Sequence, residues 1–100
     1  MEALRPLGIV KEIIEDIGQE ITYAYDDLVF VKHNDFLLQF EKSPEELGLY
    51  FNTECAPDEA DAIAAKLVPA SAVKGLSVNR KGTYTMSEAE DNNLKITFNT

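Results

Sequence analysis

His33, Asp35 and Cys55 are the residues of this 100-residue chain whose types could together do chemistry. A general base is most often a histidine oriented by a carboxylate, and a cysteine is the nucleophile such a base would activate. His33 is the only histidine and Cys55 the only cysteine. No spacing in the linear sequence brings the two together. Each has a plainer reading, His33 as a hairpin-tip residue serving the turn backbone and Cys55 as a small apolar residue. A second constellation is Glu54, Cys55, Asp58, Glu59 and Asp61. Clustered carboxylates suit hard cations, yet Asp58 and Asp61 are also what the first turn of a helix selects electrostatically. The calcium-loop pattern of a central glycine and a closing glutamate is absent, and zinc would need more Cys and His ligands at useful spacing. Neither a phosphate-cradling glycine loop nor a dinucleotide fingerprint occurs. The sequence therefore predicts no catalytic residue, no metal and no cofactor. The alternative it leaves is a small-ligand binder or enzyme with a cleft at His33, Cys55 or the acidic cluster near Asp58.

The elements that would position these groups centre on the stretch from Asp27 to Glu41. Two runs rich in β-branched and aromatic residues flank Asn34-Asp35, a pair that tolerates the positive φ of a tight turn, so a hairpin is predicted. With a two-residue loop, His33 faces Phe36, Val31 faces Leu38 and Val29 faces Phe40, all on one side. Leu28, Phe30, Lys32, Leu37, Gln39 and Glu41 fall on the other. That second side is more apolar than a solvent-facing sheet surface needs to be. Leu28, Phe30, Leu37 and Tyr50 are the expected partner-binding residues, extended by Tyr23 or Tyr25, unless the second helix or the last strands cover them.

Before the hairpin, Leu7, Val10, Ile13, Ile14 and Ile17 recur at spacings of three and four, which predicts an amphipathic helix from Leu4 to Ile17. Pro6 suits its first turn and Gly18 the left-handed position beyond its end. Ile21 to Tyr25 alternates as a short strand. After the hairpin, Ser43-Pro44-Glu45-Glu46 reads as one tight turn, and Leu47 to Thr53 as a strand with Leu47, Leu49 and Phe51 on one face and Gly48, Tyr50 and Asn52 on the other. Pro57-Asp58-Glu59 opens a second helix of small apolar residues that Pro69 is expected to stop. Period two returns in Leu76 to Val78, breaks at Arg80-Lys81-Gly82 as a solvated turn, and resumes in Thr83 to Met86 and Leu94 to Phe98. Ser87 to Asn93 reads as an exposed loop.

Composition narrows the class. The length fits one domain with one core, 1–100, and 45% hydrophobic with 27% charged residues is ordinary for a globular protein. Eighteen acids against nine bases give a net charge of −9, shared as −7 in residues 1–50 and −2 in residues 51–100. Such a field repels a nucleic-acid backbone, and no apolar run is long enough for a membrane span. One cysteine permits no internal disulfide, and the first residues lack a secretory pattern, so a cytoplasmic protein is expected. The predicted fold is α+β: an antiparallel meander with an N-terminal helix on one face and a second helix before the last two or three strands. This order of elements resembles in layout the small acidic bacterial chaperones of type III secretion, which dimerise and hold extended segments of client proteins. The resemblance implies a noncatalytic, chaperone- or adaptor-like protein. It stops at Phe98-Asn99-Thr100, where those chaperones carry a closing dimerisation helix, and no family is assigned on it. The expected partner is another protein or a second copy of the chain.

Overall fold

The computed structural model describes residues 7–25, 27–32, 35–43, 45–88 and 94–99, apart from the side chains of Tyr25, Glu88 and Leu94. The elements run α1 (Leu7–Asp16), β1 (Ile21–Tyr25), β2 (Leu28–Val31), β3 (Phe36–Phe40), β4 (Glu46–Asn52), α2 (Pro57–Val73), β5 (Ser77–Glu88) and β6 (Leu94–Asn99). The strands form one six-stranded sheet in sequence order. All neighbours are antiparallel except β4 and β5, which α2 joins as a parallel crossover. The expected α+β architecture holds.

Both helices lie on one face. Val10, Ile13 and Ile14 of α1 and Ala60 and Leu67 of α2 pack with Val29, Val31, Phe36, Leu38, Phe40, Leu47, Leu49, Phe51 and Val78. Of the stripe read from its spacing, Val10, Ile13 and Ile14 are buried and Ile17 packs against the same cluster just past the helix, whereas Leu7 is 41% exposed. Gly18 closes the helix at φ 82°, and the expected start at Leu4 to Pro6 lies outside the described residues. The two faces of the central hairpin also divide as predicted, but its register differs. Val29 pairs with Leu38 and Phe30 with Leu37, so Val29 does not face Phe40. A slip of two residues makes the turn between Val31 and Phe36 longer than predicted and leaves every described strand side chain on its predicted face, because strand side chains alternate with period two. Part of that turn, His33 and Asn34, lies outside the described residues.

Two further expectations are corrected. α2 continues through Pro69 to Val73. A proline there deprives the Ala65 carbonyl of its helical donor, and both residues are exposed, so water can serve that group. Two residues on, the buried Ser71 hydroxyl donates to the Leu67 carbonyl at 2.8 Å. The Arg80-Lys81-Gly82 segment is an irregularity inside a single long strand, β5, where a turn between two strands is predicted. Leu49 pairs with Arg80 and Tyr50 with Gly82, leaving Lys81 as an inserted residue. The insertion reverses the alternation. Val78 faces the helices, whereas Tyr84 and Met86 beyond it belong to the opposite face.

Candidate functional site

The face without helices carries its own buried cluster of Phe30, Leu37, Tyr50 and Tyr84, against which Leu28, Met86 and Ile96 pack. No described helix residue belongs to it. The rings spread the cover. Tyr50 and Phe98 have centroids 4.6 Å apart and Tyr23 and Phe30 6.0 Å, both tilted, which are ordinary aromatic-pair geometries. Gly82 opposite Tyr50 has no side chain to stand between Tyr50 and β6, the strand that carries Phe98. Burial and the nearby Glu41 carboxylate push the Tyr50 hydroxyl above the usual tyrosine range. Burial does the same to Tyr84, which hydrogen-bonds with Asn52. Polar pairs stand around these rings. The Gln39 amide donates to Asp27 Oδ2 at 2.9 Å, and Lys81 stands 3.9 Å from Glu41 across Gly48.

Of the four residues expected to meet a partner, Leu37 is fully buried, Phe30 and Tyr50 are 7% and 8% exposed, and Leu28 is half-buried. They gather on one face, but the surface there is offered by others. Tyr23 at 58% and Phe98 at 38% exposure present large apolar surface at the two ends of the sheet. Sequence reasoning missed Tyr84, Met86, Ile96 and Phe98 as members of this face. Their alternation was legible; their side of the sheet depends on the residue inserted at Lys81.

The chemically suggestive residues divide. Asp35, Cys55 and Glu59 offer ligand atoms that all lie within 4.8 Å of one another. Asp35 precedes β3, Cys55 sits in the bend before α2, and Glu59 is in the first turn of α2. Burial raises the Cys55 thiol above its ordinary range, Asp35 and Glu59 raise it further, and Arg80 opposes them. That is the reverse of an activated nucleophile, which needs a depressed thiol pKa. Two carboxylates and a thiolate could ligate a cation, provided the thiol gives up its proton. The other acids of the predicted cluster are otherwise engaged or apart. Asp61 accepts from Arg80 at 2.8 Å, Glu54 is exposed, and Asp58 is exposed in the first turn of α2. Arg80, whose guanidinium also lies 4.8 Å over the Phe51 ring, is joined in ion pairing by Lys81 with Glu41 and Lys74 with Glu12. Arg80, Lys81 and Lys74 therefore all have partners within the chain.

A groove of about 450 Å³ lies elsewhere, between the β3–β4 connection and the end of α2, lined by Ser43, Glu45, Glu46, Val68, Leu76 and Val78 among others. Its ionisable lining is those two glutamates. No described helix is long and apolar enough to cross a membrane. No family model, curated protein or solved structure matches this chain.

Proposed function

We propose that this chain is a noncatalytic protein-binding module, chaperone- or adaptor-like, working in the cytoplasm and engaging another protein or a second copy of itself across the helix-free face of its sheet. One observation carries the reading: an apolar cluster with no described helix over it, with Tyr23 and Phe98 left exposed at its two ends. Aromatic side chains left exposed beside a buried apolar cluster are the kind that partners engage. The raised thiol of Cys55 supports the noncatalytic side of the reading, and its single free sulfur suits a reducing compartment.

The test uses Tyr23→Asp and Phe98→Asp, since both side chains are exposed enough to change without opening the core. Light scattering and capture from the source cell are compared for the wild type and the double variant, with circular dichroism to verify the fold. A self-association or a captured protein that the double variant loses is the expected result. A wild type that binds nothing, or a variant that binds as well as its parent, removes the reading.

A further inference from the structure

The proposed binding face leaves open who the partner is, and the two edges of the sheet differ in a way that bears on it. β1 and β6 are the outer strands. Unpaired edge backbone is a template for another strand, and proteins usually blunt it with bulges, prolines or charges. β1 is blunted by a break in register between Ile21 and Tyr23 and is followed by Asp26 and Asp27. β6 is regular. Its six residues pair with Glu88 through Thr83 without interruption, and the run Leu94-Lys95-Ile96-Thr97-Phe98-Asn99 contains neither proline nor glycine.

Charge points to the same edge. β6 and the stretch it pairs with, residues 83–88, hold one acid, Glu88, and one base, Lys95, and so sum to zero. The whole net charge of −9 lies in the rest of the chain. Two copies of an acidic protein repel through their summed fields, and they repel least where that field is neutral. The β5–β6 edge is therefore where a second copy approaches at least cost.

We propose that two copies join antiparallel along β6, centred on Thr97, making one continuous sheet; the inference rests on the protein-binding reading above. Side-chain alternation fixes which registers are allowed. Ile96 and Phe98 belong to the helix-free face, while Lys95, Thr97 and Asn99 point to the other. A pairing centred on Thr97 sets Ile96 against Phe98 of the second copy at two places, Thr97 against Thr97, and Lys95 against Asn99. Apolar residues meet apolar ones and the apolar faces become continuous. A slip by one residue would set apolar side chains against polar ones. The in-face alternative centred on Ile96 brings the two Lys95 ammonium groups closer by two residues, which like charges disfavour.

Thr97→Cys and Asn99→Cys, each in a Cys55→Ser background, test this directly. Residues directly opposite across antiparallel strands have Cα atoms about 4.5–5.5 Å apart, within disulfide range, whereas the two copies of residue 99 would be about 14 Å apart along the strand. The expected results are a doubled mass for the wild type by light scattering, a covalent dimer of Thr97→Cys under mild oxidation, and no such link for Asn99→Cys. A monomeric wild type overturns the proposal, as does equal linking of the two cysteine variants. A monomer that still captures another protein, and loses it on Tyr23→Asp, sinks the dimer while leaving the binding face standing.

Discussion

Leu49 and Leu37 stand on neighbouring strands, β4 and β3, and neither exposes any surface, yet they are buried by different means. Leu49 lies under two helices, in a cluster of aliphatic side chains with Phe36, Phe40 and Phe51. Leu37 lies on a face no described helix residue reaches, among Phe30, Tyr50 and Tyr84. Aromatic side chains bury far more area apiece than aliphatic ones, so a few rings can close over a leucine where helices would otherwise be needed. The helix-covered face is a packed interior of aliphatic side chains, and the other is closed by rings with partly buried side chains around them.

The strongest challenge to this contrast is to empty both sites. Leu49→Ala should cost about 2–5 kcal/mol of unfolding free energy in urea, because helices on one side and strands on the other hold the cavity open. Leu37→Ala should fall at the lower end of the same range, since rings packed on one side only can settle inward. Equal costs at the top of the range would make the two faces alike.

Alkaline titration probes the ring-closed face alone. Burial raises the Tyr84 hydroxyl above the ordinary tyrosine value of about 10, so the unfolded chain loses that proton first. Stability from Tyr84 is complete below pH 10 and falls as pH climbs from there through the folded-state value. Tyr84→Phe should flatten that decline and cost about 1 kcal/mol at neutral pH, where its contact with Asn52 is lost. An unchanged alkaline limb would place the decline elsewhere.

Smaller effects sharpen the comparison. Arg80→Ala removes an exposed ion pair with Asp61 and a cation over Phe51, and should cost at most about 1 kcal/mol, part of it salt-sensitive. Arg80→Lys should keep part of the pairing and lose the planar stacking. Tyr23→Asp should shift stability least, by under about 1 kcal/mol, while abolishing contact with a partner. A loss above that would make Tyr23 a structural member of the cluster.

The division of the central hairpin into two faces was legible because period two survives a slip of two residues. Its register was not legible: Asn34-Asp35 suggested a two-residue turn, and only the pairing of Val29 with Leu38 shows the longer one. The buried Val10, Ile13 and Ile14 of α1 and its end at Gly18 were readable from local spacing and backbone freedom, whereas spacing alone did not show that Leu7, at the start of the helix, stays exposed. Pro69 and Gly82 misled for a common reason. Both types usually end elements, and here exposure of the freed carbonyl and insertion of one residue let the elements continue. The convergence of Asp35 with Cys55 and Glu59 was invisible, since it depends on β3 and α2 meeting across about 20 residues of chain.

The residue inserted at Lys81 makes β5 a member of both interiors, its first half rooted beneath the helices through Val78 and its second half supplying Tyr84 to the other side. Removing that one residue would turn the distal half over, sending Tyr84 and Met86, and with them Ile96 and Phe98 of β6, to the helix side of the sheet and bringing threonines to the other face in their place. A single codon thus sets which way every following side chain of the sheet looks, so this hinge in the alternation is where a deletion would be least forgiven.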